Sequence, residues 1–119
     1  MNIEEYQNVM FIILTIMGCG FLAIGVFLIN FPPKKINGLY GYRTSRSMQN
    51  QEAWDYSQVY SAKIMVVLGV VYFVLAGISL YVPKVEDTTG AFLSIAFVLG
   101  GVFIMFYKTE KELEKKFDF

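Results

Sequence analysis

The 119-residue sequence has no histidine, a single cysteine at Cys19 and only three prolines. Without histidine or a second thiol it can build neither a Cys/His zinc site nor an intrachain disulfide. Acidic and basic side chains are missing from the interiors of its three longest apolar stretches, residues 9–31, 64–82 and 89–107. Proton relays, ion-coupled transport and intramembrane hydrolysis usually need ionisable groups at depth. The chain is therefore expected not to be an enzyme and to hold no cofactor or metal. Cys19 lies in apolar surroundings that disfavour the thiolate, so it reads as a packing residue and not a nucleophile. Met1 to Asn8 carries Glu4 and Glu5 and no Lys or Arg, the opposite of the basic start of a secretory signal. Net charge is zero, which gives no sign of a nucleic-acid partner.

What the chain does have is apolar sequence in blocks. Hydrophobic residues make up 55% of it, more than a soluble domain of this size buries. The first block is long enough to cross a ~30 Å hydrocarbon core with some tilt. The expected organisation is a single all-α integral membrane domain. Its parts are a first span over about 9–31, a loop over 32–49, a helix over about 50–82, a third span over about 89–107 and a tail over 108–119. Pro32 and Pro33 end the first helix and Pro83 the second, because proline lacks the amide donor and restricts the residue before it. Nine of the ten cations lie in the first loop, at the foot of helix two and in the tail, against Lys84 alone on the other side. That bias predicts a multi-pass plasma-membrane protein with its N-terminus outside and its first loop and C-terminus cytoplasmic.

The first loop has internal punctuation. Asn37-Gly38 is a turn dipeptide, and Gly41 is a second point where the backbone can take positive φ. Ser45, Ser47 and Asn50 are candidate caps for the second helix. Tyr40, Tyr42, Trp54, Tyr56 and Tyr60 are expected to form the inner aromatic belt. Arg43 either offers its planar fork to a carboxylate or phosphate, or pairs with Glu52 or Asp55. Simple anchoring to headgroups needs charge but no such punctuation, so an ordered loop is expected. In the tail, Phe106, Leu113 and Phe117 share a helical stripe and Glu112 stands four residues before Lys116, which reads as an amphipathic segment lying on the membrane surface. Gly18 and Gly25, Gly69 and Ala76, and Ala96 and Gly100 are small-residue pairs. They suit close packing within the three-helix unit, with homodimerisation as the sharper alternative.

The run PPKKINGLYGYRTSRSMQNQEAW resembles the signature of the SdpI/YfhL family of membrane proteins. Its pattern has a Lys and an Asn after helix one, then Gly-x-Arg-Thr, then a Trp about ten residues on. These fall at Lys35, Asn37, Gly41, Arg43, Thr44 and Trp54. Positions that often hold aromatic or Asn/His residues in relatives are Arg46 and Ser57 here. The resemblance implies a bacterial protein of toxin resistance, since SdpI-type proteins confer immunity to a secreted, membrane-active peptide toxin. It also implies signalling, because they recruit a cytosolic repressor to the membrane. A peptide toxin and a cytosolic regulator are thus the implied partners beside the lipid bilayer, and the six motif residues the implied ligand, partner or structural site. Two readings of other classes stand beside it. One is a membrane anchor that sequesters a cytosolic regulator through the loop and tail. The other is a lipid-binding or small transport protein.

Overall fold

A computed structural model describes residues 8–117, which form α1 (Val9–Asn30), α2 (Gln51–Ser79) and α3 (Asp87–Phe117), with no strand among the described residues. The acidic stretch before Asn8 and the last two residues of the tail lie outside the described residues. Each helix is long and apolar enough to cross a membrane, and the chain is a multi-pass membrane protein.

Local chemistry sets the helix ends. The Asn8 side chain accepts from the Phe11 amide at 3.2 Å, capping α1, and donates to the Ser79 carbonyl at 3.2 Å, tying the start of α1 to the end of α2. Asn50, among the three candidate caps, is the one used: its Oδ1 accepts from the Ala53 amide at 2.8 Å. α2 stops at Ser79 rather than 82, and the Leu80 and Tyr81 amides turn back to the carbonyls of Gly77 and Ile78 at 3.2 and 2.9 Å. Pro83 pushes Val82 away from helical angles, so the winding relaxes before it.

The tail departs from the expected surface-lying segment. α3 runs without a break from Asp87 to Phe117, 31 residues, because the charged stretch contains no Gly or Pro and is rich in helix formers. The lower part of its apolar stripe meets protein: Leu113 is fully buried in a small core with Tyr42 and Ala53, and Phe117 packs against it. At about 1.5 Å per residue α1 matches the hydrocarbon thickness, whereas α2 and α3 exceed it. The molecule is 53 Å long, so one end projects beyond the bilayer as a folded polar cap.

α1 and α2 are in near backbone contact. A Cβ at Gly18 would stand 3.1 Å from the Gly69 carbonyl, and one at Gly25 would stand 3.0 Å from the Ala62 carbonyl. Small residues thus serve packing within the unit. α3 joins this pair through Tyr72, whose hydroxyl donates to the Val98 carbonyl at 3.0 Å and whose ring takes the edge of Phe21. Gly101 leaves the space that the Tyr72 phenol occupies. Ala96 and Gly100 lie on the exposed face of α3. So does Cys19 on α1, which corrects its reading as a packing residue. Ile16, Phe27, Val67, Phe92 and Phe103 are also exposed, as expected where lipid replaces water.

Candidate functional site

The polar cap is built from the 31–50 loop, the first turns of α2 and the last turns of α3. Asn37 opens it as an Asx turn. Its Oδ1 accepts from the amides of Leu39 and Tyr40 at 2.8 and 2.9 Å, and its Nδ2 donates to the Lys35 carbonyl at 2.9 Å. Gly41 follows at φ +106°, the left-handed region where a Cβ is unfavourable. A Cβ there would also stand 2.6 Å from Gln58 Oε1 and 2.8 Å from Pro33. Glycine at this position therefore meets two separate requirements.

Gln58, buried on α2, holds the loop. Its Oε1 accepts from the Tyr42 amide at 2.7 Å and its Nε2 donates to the Tyr42 carbonyl at 2.8 Å. One side-chain amide thus satisfies both backbone groups of a buried residue, as a neighbouring strand would. Ser47 adds a third bond, donating to the Tyr42 carbonyl at 3.0 Å. Thr44 and Ser47 close a reciprocal turn: the Thr44 amide donates to Ser47 Oγ at 2.8 Å and the Ser47 amide to Thr44 Oγ1 at 3.2 Å. At the other end of the loop, the fully buried Trp54 donates Nε1–H to the Pro33 carbonyl at 2.7 Å. Gln51 donates to the Lys34 carbonyl at 2.6 Å and to Asp55 at 2.7 Å.

The loop is latched to α3 through Tyr42. Its hydroxyl donates to Glu110 Oε1 at 2.7 Å, and its ring lies 5.2 Å from Phe106. Arg46 donates to Glu110 Oε2 at 3.0 Å, the only ion pair among the described residues. Burial, and then the Glu110 carboxylate, push the Tyr42 phenol far above its ordinary range. Burial alone would raise Glu110. Hydrogen bonds from Thr44, Tyr42 and Arg46 outweigh it and hold the carboxyl below its ordinary value.

That shift has a definite sign. A carboxyl depressed in the folded state stabilises it above the unfolded pKa and loses the contribution as pH falls through the folded value. Glu110→Gln should therefore melt below wild type at pH 7. The gap should begin to narrow as pH drops below about 4.3, the ordinary Glu value, and close as pH falls past the lower folded value. A gap that persists unchanged to pH 3 would show that the ionised carboxylate does not hold the latch.

Two expectations are corrected here. Tyr42 and Trp54 are buried in the protein and do not belong to an aromatic belt. Arg43 pairs with neither Glu52 nor Asp55; its guanidinium donates to the Gly38 carbonyl and is otherwise exposed. The ion-paired arginine is Arg46, and its partner comes from the tail. Of the motif residues, Asn37, Gly41, Thr44 and Trp54 build the loop, while Lys35 and Arg43 stand on its exposed surface. Gln58, Ser47, Tyr42 and Glu110 carry much of the architecture. The readable signal for Gln58 was the spacing of Trp54, Ser57, Gln58 and Ser61, an i, i+3, i+4, i+7 face that is entirely buried.

This is a three-span membrane protein whose loop is folded into a cap by its own helices. It belongs to the SdpI/YfhL protein family: the family model matches residues 34–108, from the loop through the start of the tail. The chain is also similar to a Bacillus subtilis (strain 168) protein described as "Uncharacterized protein YfhL". The two are 37% identical over 100 residues, covering 83% of this chain and 84% of that one. No solved structure matches the chain.

Proposed function

We propose that this protein is a non-enzymatic, SdpI-type protein of the bacterial plasma membrane that confers immunity or tolerance to a membrane-active peptide toxin. The observation that carries this reading is membership of the SdpI/YfhL family over residues 34–108, which take in most of the loop. The N-terminus lies outside and the cap is cytoplasmic, by the nine-to-one bias of Lys and Arg. In that orientation the helices meet a peptide arriving from outside, and Arg43 does not capture it directly. α3 is latched to the loop by Tyr42 and Glu110, so a shift of α3 against the α1–α2 pair would be felt in the cap. Such a shift is a route for signalling to a cytosolic partner.

The test is survival of a sensitive strain under challenge with several membrane-active peptides. Cells expressing the protein should survive better, and Arg43→Ala should reduce the gain more than Lys34→Ala. No gain for any peptide, with membrane insertion confirmed, would end the immunity reading. Equal effects of the two substitutions would mean that Arg43 contributes to the gain by its charge alone.

A second reading is an anchor that sequesters a cytosolic regulator. It is favoured by the length of the cap beyond the bilayer and by its groove of about 610 Å³ lined by Glu52, Asp55, Tyr56, Tyr60 and Lys116. Capture of a soluble partner that Arg43→Ala and Trp54→Ala both lose, with survival unaffected, would support it.

A further inference from the structure

A cavity of about 370 Å³ lies beneath the 41–43 segment of the loop, where all three helices meet. Its walls are Ile24 and Leu28 of α1, Met65 of α2, and Met105 and Phe106 of α3, and among the described residues Arg43 is the only charged side chain on it. The wall residues sit at one level in the membrane. Ile24 and Leu28 belong to the last turns of the first apolar block, Met65 to the start of the second, and Met105 and Phe106 to the end of the third. The cavity therefore straddles the boundary between hydrocarbon and headgroups, apolar on its lower side and roofed by a polar loop.

The charge at its mouth is available. Glu110, the nearby carboxylate of the latch, is already taken by Arg46 and Tyr42. Arg43 gives one bond to the Gly38 carbonyl and retains most of its five N–H donors. A guanidinium fork beside an apolar slot matches an amphiphile with an anionic, oxygen-rich head. Flexible methionines on two walls suit an acyl chain, which has no fixed shape.

The geometry points to a specific site for one anionic phospholipid, its phosphate on Arg43 and the upper part of one acyl chain between α1 and α3. This site is independent of the immunity reading, since it needs only the cavity and its cation. Bound there, the lipid would bridge the loop to both α1 and α3.

The test uses the full chain, purified from membranes and exchanged into detergent with equal phosphatidylglycerol and phosphatidylcholine of matched acyl chains. Retained lipid is then counted by native mass spectrometry. Wild type should retain one phosphatidylglycerol per chain, preferred over phosphatidylcholine by about fivefold or more. Arg43→Gln should abolish the preference, and Arg43→Lys, which keeps the charge, should preserve most of it. Lys34→Gln, which removes a charge elsewhere in the loop, should leave it intact. Leu28→Trp, which fills the slot from α1, should lose both lipids while the Tyr42 amide stays protected from exchange. Glycerol phosphate, with no acyl chain, should not displace the lipid. Several results would overturn the site: no retained lipid, equal retention of the two lipids, unchanged preference in Arg43→Gln, or displacement by glycerol phosphate.

Discussion

Gln58→Leu is expected to release the loop from the helices while the three spans remain inserted. The substitution keeps the side-chain volume but removes both groups that pair with Tyr42. The Tyr42 carbonyl keeps its bond from Ser47, but the Tyr42 amide has no other partner among the described residues. A buried amide left unpaired costs about 1–3 kcal/mol, and loss of the second bond adds to it. Local opening of the loop should become easier by roughly 2–4 kcal/mol, which raises the Tyr42 amide exchange rate at least about thirtyfold. Hydrogen exchange over residues 38–48, with circular dichroism to confirm intact helices, reads this directly. Unchanged protection at Tyr42 would mean that Gln58 does not hold the loop. Gly41→Ala should act in the same direction, because its Cβ would collide with that amide in a backbone conformation alanine disfavours.

Gly69→Val should be the most damaging single change within the spans. A Cβ at position 69 would stand 2.8 Å from the Leu22 backbone nitrogen and 3.0 Å from the Gly18 carbonyl. Both obstacles are backbone, so no side chain can rotate away and α1 and α2 must separate. The loss should reach about 3 kcal/mol, the upper part of the range for overpacking. It would be seen as a lower melting temperature and a broadened size-exclusion profile in detergent. Gly100→Val is the control, since a Cβ there meets nothing within 4 Å and should change the melt little. Equal destabilisation at both positions would refute the close α1–α2 approach.

The contrast between these glycines shows what could be read from sequence and what could not. The small-residue pairs were visible, and the apolar blocks placed them in helices. Which of them faced a neighbour depended on how the helices were turned. Gly18, Gly25 and Gly69 turned out to lie in the α1–α2 contact, while Ala96 and Gly100 face outward. In segments that are apolar all round, no polar face reports the rotation, so hydrophobic pattern alone cannot choose. The motif loop behaved similarly. Its turn residues Asn37 and Gly41 announced themselves because their chemistry acts within three residues of chain. The partners of Tyr42 and Arg46 did not, because Glu110 is 68 and 64 residues away from them.

The polar cap makes the same division at a larger scale. Sequence by itself determined that the chain has three membrane-length apolar helices, that a basic, punctuated loop joins the first two, and that prolines close the first and second helices. Those features follow from lipid solvation and local backbone chemistry, which act over one or two turns. Only the tertiary structure decided that the end of α3 packs against the loop, that Leu113 is buried there, and that Arg46 rather than Arg43 forms the ion pair. Those outcomes depend on which distant surfaces meet: an exposed amphipathic stripe can be covered equally well by lipid or by protein, and here Tyr42 and Ala53 are the surface that covers it.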